Sequence, residues 1–149
     1  MMATDLLAFI ATFASSLFAG AALYINVAEH PARLECGHEL AATVFGPSYR
    51  RAAGLQASLA LLATITGSAV ALLGRSPLWW VGVVSIFAVV PFTFLVIMRV
   101  NRQLLDPILD RAAPDTRRLL VSWGRLHAVR TVLGLLAAMI FLALALRQN

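Results

Sequence analysis

The stretch VSWGRLHAVR, residues 121–130, brings together side chains that can do chemistry. Trp123, His127 and Arg130 stand at positions i, i+4 and i+7, so the three share one face if the stretch is helical. An imidazole can take up or release a proton near neutral pH, a guanidinium can hold an anion, and an indole can stack on a flat ring. A helix face of this kind needs partners, which the rest of the chain must supply.

The composition places this stretch in a membrane protein. The chain has 149 residues, of which 60% are hydrophobic and 13% are charged, and its mean hydropathy is +0.84. So few charged residues cannot cover the surface of a small water-soluble domain. Every basic residue is an arginine, and most lie between apolar runs, so we interpret the net charge of +5 as a topology signal and predict no nucleic-acid partner. A single cysteine, Cys36, leaves no disulfide framework and no C-x-x-C pair.

Four apolar stretches are long enough to cross a hydrocarbon layer of about 30 Å. We therefore predict an all-α membrane protein that forms a single four-helix domain over residues 1–149. Its topology is an antiparallel up-down-up-down bundle of transmembrane helices, at roughly residues 6–30, 50–73, 78–105 and 116–146. Pro31 should end the first helix at His30, Pro91 should kink the third helix, and Asp115 or Thr116 should cap the fourth.

The arginines also predict the orientation of the bundle. The loop after the first helix and the loop after the third carry most of them, whereas only Arg75 and Arg147 lie on the other side. The positive-inside rule then makes loops one and three cytoplasmic and places both termini outside. We expect an integral protein of the cell inner membrane.

Most of the unusual polar residues lie at the helix ends that this topology brings together on the cytoplasmic side. They are Tyr24, Asn26, Glu29 and His30 from the first helix, Tyr49 and Gln56 from the second, Thr93 and Asn101 from the third, and Trp123, His127 and Arg130 from the fourth. Each could instead be an interfacial aromatic, a snorkelling arginine or a polar group that joins two helices. Four ends that bring polar groups to one level favour a pocket.

Four blocks of the sequence carry a resemblance to a known family: YINVAEHPARL, GPSYRRAAGLQASLA, PFTFLVIMRVNRQLL and LLVSWGRLHAVRTVLGLLAA. Together they resemble the anthrone oxygenase family of small four-helix membrane proteins. The family pattern has a Tyr before His-Pro, an Asn-x-x-Leu and a Trp-x-x-x-His-x-x-Arg. In this chain it falls on Tyr24 with His30 and Pro31, on Asn101 with Leu104 or Leu105, and on Trp123 with His127 and Arg130.

The resemblance implies an oxygenase-like enzyme for a planar, apolar, phenolic or anthrone-like substrate at the cytoplasmic end of the bundle. Its partners would be membrane lipid, the hydrophobic substrate and molecular oxygen, and a homo-oligomer stays open. His127 is the candidate base. Asn101 and Arg130 are candidate donors to an oxyanion or peroxide. Tyr49 completes the catalytic set, and the side chains assigned to the substrate are Trp123, Tyr24, Gln56 and Thr93.

Two alternatives remain open for the sequence. A metal-dependent oxidase could hold non-haem iron or copper with His30, Glu29 and His127, whereas the preferred interpretation requires no cofactor. A non-catalytic protein could bind a lipid or a quinone at the same end. Transport is disfavoured because no predicted span has an ionisable group at its centre.

Overall fold

The computed structural model describes residues 3–147, which form four long helices. They are α1 (Ala3–Glu35), α2 (His38–Leu72), α3 (Trp79–Leu104) and α4 (Pro114–Leu146). Each helix is long and apolar enough to cross a membrane. Residues 3–147 include no strand, which confirms the predicted class of an all-α protein with four membrane-spanning helices.

Contacts between helix ends show how the chain is threaded. α1 and α3 each pack against both α2 and α4. Arg75, just after α2, forms an ion pair with Asp5 at the beginning of α1. At the beginning of α3, Trp79 stacks on Phe141 near the end of α4, with ring centroids 5.0 Å apart. These neighbours therefore run antiparallel, as in an up-down-up-down bundle.

Small residues let the helices approach closely at the end of the bundle that contains Trp79. The ring of Phe141 is fully buried against two glycines of the neighbouring helices. A Cβ atom would come within 2.4 Å of this ring at Gly82 and within 2.8 Å at Gly67. The glycines are therefore the sites where α2 and α3 leave room for the ring of Phe141 from α4.

The predicted end of the first helix at His30 is wrong, since α1 continues through Pro31 to Glu35. A proline in an α-helix lacks one N–H donor, and its ring clashes with the carbonyl four residues earlier. The turn before Pro31 is widened into a π turn over Ile25–Glu29, in which the His30 N–H donates to the Ile25 carbonyl. We attribute the passage of the helix through Pro31 to this wider turn, which changes the carbonyl positions that the ring meets.

The second helix begins at His38, not near residue 50 as predicted. The expected first loop is therefore reduced to a tight turn at Cys36 and Gly37. Gly37 has a φ of +98°, a conformation that L side chains rarely adopt. Residues 38–51 are too polar to be recognised as part of a membrane span, so hydropathy placed the start of the helix about three turns late.

The other two helices lie close to their predicted bounds. α3 begins and ends within one residue of the prediction, and it contains a π turn over Thr93–Ile97, just after the proline where a kink was expected. α4 begins at Pro114 with Ala113 as its N-cap residue, so the expected cap at Asp115 or Thr116 is wrong. The Thr116 hydroxyl instead donates to the Asp110 carbonyl at 2.6 Å, which ties the preceding loop to the helix.

Candidate functional site

His127 is held in place by a residue of another helix. Its Nδ1 lies 2.8 Å from Oδ1 of Asn26, on the π turn of α1. The Asn26 amide group donates to the Gly124 carbonyl at 2.9 Å, so Oδ1 is the acceptor atom that faces His127. The hydroxyl of Thr131 donates to the same Oδ1 at 2.5 Å. One asparagine of α1 thus binds the backbone and two side chains of α4.

This contact determines which nitrogen of His127 carries the proton when the ring is neutral. An amide oxygen only accepts hydrogen bonds, so Nδ1 must donate, and the lone pair is left on Nε2. The ring contacts Asn26 through Nδ1, so this contact does not occupy Nε2. The side chain is 2% exposed, and it lines a cavity. A buried imidazole held in this way has the form required of a general base.

Aromatic rings enclose His127 on one side. The Trp123 ring lies 4.8 Å from the His127 ring between centroids, and the Phe45 ring meets Trp123 edge-on at 5.2 Å. Tyr49 stacks on Phe45 at 5.8 Å. The indole N–H of Trp123 donates to Oδ1 of Asn101 at 2.9 Å. The indole is therefore fixed at both its ring and its nitrogen, as expected for a rigid wall.

Arg130 lies about one turn after His127 on α4 and forms a polar pair with Gln56 of α2. Nη2 of Arg130 donates to Oε1 of Gln56 at 2.7 Å, and the guanidinium lies 5.8 Å from the centroid of the Phe18 ring. Nε of Arg130 and Nε2 of Gln56 are both buried without a hydrogen-bond partner among the described residues. Two unpaired buried N–H donors, one of them on the Arg130 cation itself, make a favourable environment for an anionic oxygen.

These groups meet at one narrow cavity, which we name the His127 cavity. Its volume is about 30 Å³, room for roughly one or two water molecules at the usual minimum of about 10–15 Å³ for each. Its lining includes Tyr49, Gln56, Trp123, His127 and Arg130. The face that the spacing in α4 predicted therefore does border a cavity, and α2 supplies the opposite wall.

One side of the His127 cavity carries an ion pair. Arg33 contacts the Glu29 carboxylate and donates to the Ser48 hydroxyl at 2.6 Å, and Ser48 in turn donates to Glu29 at 3.2 Å. All three side chains line the cavity and are only partly buried. Glu29 is thus neutralised by its neighbours and ties the end of α1 to α2.

Four of the predicted site residues lie outside the His127 cavity. Asn101 is fully buried behind Trp123, so its oxygen supports the indole and does not face the space beside His127. Tyr24 is 63% exposed on the outer side of α1. His30 packs against Gly124 and against Trp123, and the His30 and Trp123 ring centroids are 5.1 Å apart. Thr93 lines a separate cavity between α2 and α3, and its hydroxyl donates to the Val89 carbonyl at 2.7 Å.

The set proposed for a metal does not assemble. Among residues 3–147 no group of three His, Cys, Asp or Glu side chains is placed to hold a metal ion. Glu29 is bound by Arg33 and Ser48, and Nδ1 of His127 is bound by Asn26. The ring of His30 faces Gly124, where a Cβ atom would come within 2.7 Å of Nε2. These donors point to different neighbours and do not fit a shared ion, so we derive no step through a metal.

The sequence placed Asn26 among the polar residues at this end of the bundle but gave it no role in the site. Asn26 lies in an apolar segment of α1, where a polar side chain is costly unless it finds a partner. That cost was the signal in the sequence that Asn26 has a polar partner. The signal could not identify the partner, because His127 is 101 positions away in the chain.

The fold and the cavity define a class of protein: a four-helix membrane-spanning bundle with a buried histidine and an arginine at one end. Within that class, the chain belongs to the anthrone oxygenase family, whose profile matches residues 41–140. It is also 37% identical over 71 residues to the anthrone oxygenase tpcL of Aspergillus fumigatus, an alignment that covers 46% of this chain and 44% of that relative. The chain therefore spans less than half the length of this curated relative. No solved structure matches the chain.

Proposed function

We propose that this protein is a membrane-embedded oxygenase that oxidises a planar, apolar, anthrone-like ketone with molecular oxygen. The observation that carries the proposal is the Asn26–His127 pair, which leaves the lone pair of the neutral imidazole on Nε2, and both His127 and Arg130 line one cavity. Membership of the family and the name of its fungal relative supply the substrate class.

The reaction begins with removal of a proton. Nε2 of His127 takes a proton from the methylene carbon of the ketone, and the electron pair moves onto the carbonyl oxygen as an enolate. Arg130 and the free N–H of Gln56 stabilise the negative oxygen. His127 and Arg130 are three residues apart on α4, which places their Cβ atoms about 5–6 Å from each other. The base and the cation can therefore act on the same substrate molecule.

Molecular oxygen completes the reaction without another reductant. The enolate carbon forms a bond to dioxygen, which is reduced to a peroxide, and the proton held by His127 converts the peroxide to a hydroperoxide. Nε2 then removes the second proton of that carbon, the O–O bond breaks, and the departing hydroxide takes the proton to form water. One ketone and one dioxygen give one quinone and one water. The His127 cavity, with a volume of about 30 Å³, admits a small reactant and one edge of the ring.

The direct test is turnover by the purified full chain in detergent micelles. We expect anthrone to be converted to anthraquinone faster than in micelles without protein, with one dioxygen consumed for each anthrone, and we expect treatment with a chelator to leave the rate unchanged. If the protein binds the ring but does not accelerate oxidation, the lipid- or quinone-binding alternative holds. Loss of activity with the chelator and its return with iron or copper would support the metal alternative.

The location of the site in the membrane is a second part of the proposal. The asymmetry of the arginines favours a cytoplasmic position for the end that contains His127, with the chain termini outside. The termini themselves, residues 1–2 and 148–149, lie outside the described residues.

A reporter fused after the last residue tests this orientation. We expect an enzyme that is active only outside the cytoplasm to show activity at this position, because both termini should lie on the outer side. A second fusion in the loop between α3 and α4, for example after Arg111, should give the opposite result. An inactive terminal fusion of a folded protein, together with an active fusion after Arg111, would reverse the orientation but would leave the geometry of the site intact.

A further inference from the structure

A second cavity lies between α2 and α3, next to the His127 cavity. We name it the lateral cavity; its volume is about 220 Å³. Four residues line both cavities and form the wall between them, namely Tyr49, Ala53, Gln56 and Arg130. His127 and Trp123 line only the smaller one.

The lateral cavity exists because α2 is lined with small residues at this level. Ala53, Ala57 and Ala60 recur at i, i+4 and i+7, so they share one face of α2. Opposite them, α3 contains its π turn, which begins at Thr93. Phe94, on the rim, is 65% exposed on the outer surface of the bundle, where the lipid lies in a membrane-spanning protein. The cavity is therefore accessible from the apolar layer and not only from water.

The inner end of the lateral cavity is polar, although most of its lining is apolar. Gln56 is 3% exposed, and its Nε2 is buried without a partner among the described residues. Nε of Arg130 is in the same state. A buried donor without a partner costs free energy, and a ligand oxygen would remove that cost. An acyl chain has no such oxygen in its hydrocarbon part, whereas an aromatic ketone or phenol does.

The sizes of the two cavities also favour an aromatic occupant for the larger one. The His127 cavity, at about 30 Å³, is too small for a ring system. The lateral cavity, at about 220 Å³, exceeds the roughly 150 Å³ of an engineered protein cavity that binds benzene. Because it is open between α2 and α3, a fused ring system can extend outward from it.

We propose that the lateral cavity binds the fused ring system of an aromatic ketone or phenol that enters from the bilayer, with a ligand oxygen at Gln56 and Arg130. The identity of the ring rests on the proposed function. The ring lies against the alanine face of α2, and the edge that reacts extends between the side chains that line both cavities to reach His127.

The test fills the lateral cavity without touching the His127 cavity. Ala57 lines only the lateral cavity and is exposed, so Ala57→Leu adds bulk there with little effect on the helix. The matched control is Ala143→Leu, at an exposed position of α4 outside both cavities. The probe is dihydroxyanthraquinone, and its binding to the full chain in micelles is followed by quenching of tryptophan fluorescence.

We expect Ala57→Leu to weaken binding of the probe by about tenfold or more and Ala143→Leu to leave it within about twofold. For anthrone turnover, Ala57→Leu should raise KM more than it lowers kcat, because the chemical groups are unchanged. Binding by Ala57→Leu equal to that of wild type, or no binding by wild type, would overturn the proposal. Binding that follows the expected pattern without any turnover would support the lateral cavity and reject only the proposed function.

A second variant tests the polar end of the cavity. Gln56→Leu keeps the approximate size of the side chain but removes the amide donor. We expect it to weaken binding of dihydroxyanthraquinone by about fivefold or more and to leave binding of anthracene, which has no oxygen, unchanged. Equal effects on the two ligands, including no effect on either, would show that the ligand oxygen does not lie at Gln56.

Discussion

Replacing His127 with glutamine is expected to lower anthrone turnover by about 10²- to 10⁴-fold, the usual contribution of a positioned base. Glutamine can still donate a hydrogen bond toward Asn26, but its amide cannot accept a proton at neutral pH. Binding of dihydroxyanthraquinone should stay within about threefold of wild type, since the lateral cavity does not include His127. The measurement is kcat from dioxygen consumption, together with the dissociation constant of the probe.

His38→Gln provides the matched control. The ring of His38 contacts the Ala112 carbonyl at 2.8 Å in the loop region, away from both cavities, so this change should leave turnover unaltered. Near-normal turnover by His127→Gln would eliminate the base role. If His127→Gln and His30→Gln both lost a stoichiometric metal that the wild type contained, His127 would be a ligand and the metal alternative would replace the mechanism.

Replacing Asn26 with leucine should lower kcat by about ten- to a hundredfold, a range typical for loss of a residue that orients a functional histidine. Leucine has a similar size but accepts no hydrogen bond, so the imidazole is free to rotate and to move its proton to Nε2. KM and probe binding should change little, because Asn26 lines neither cavity. In the proposed mechanism Asn26 is a positioning residue, so its effect should appear in kcat.

A spectroscopic signature separates this role from a general loss of structure. In protein with ¹⁵N-labelled histidine, the His127 spectrum should show protonation at Nδ1 in the wild type and a mixture of tautomers in Asn26→Leu. Thr131→Val is the control, because it removes the second donor to Oδ1 and leaves the His127 contact in place. An unchanged tautomer together with unchanged kcat in Asn26→Leu would show that the asparagine only joins the two helices.

The positions of the two cavities separate the predicted effects on the chemical step from the predicted effects on binding. His127 faces the small cavity and Ala57 the large one, whereas Gln56 and Arg130 belong to both. Changes at His127 and Asn26 should therefore act on the chemical step, and changes at Ala57 should act on binding. If changes at Ala57 lowered kcat and changes at His127 and Asn26 raised KM, the ring would not lie between α2 and α3.

The amino-acid sequence by itself determined the four membrane-spanning helices and the face that carries Trp123, His127 and Arg130. Both follow from local physics. A bilayer offers no hydrogen-bond partners to the backbone, so an apolar run of sufficient length must be helical, and a helix of fixed period brings residues four and seven apart to the same side. The predicted helix bounds were less accurate where a helix extends beyond the apolar layer, as at His38. Hydropathy identifies only the apolar part of such a helix.

Pro31 was predicted from a local rule to end its helix, but the helix continues through it. Its effect on an ordinary α-helix is disruptive, but the π turn over Ile25–Glu29 precedes it and the helix continues. The same π turn carries Asn26, which reaches α4. Sequence spacing cannot predict the direction of a side chain on such a turn, because the prediction assumes the period of a regular helix.

Only the tertiary structure decided which polar groups meet. The type of residue at Asn101 and Asn26 is the same, yet one supports the indole of Trp123 and the other holds the imidazole of His127. Nothing local distinguishes them, since each partner comes from a different helix and the choice depends on how α1, α3 and α4 are rotated about their axes. That rotation is set by side-chain packing over the whole length of the bundle, as at Phe141 between Gly67 and Gly82, which no single stretch of sequence contains.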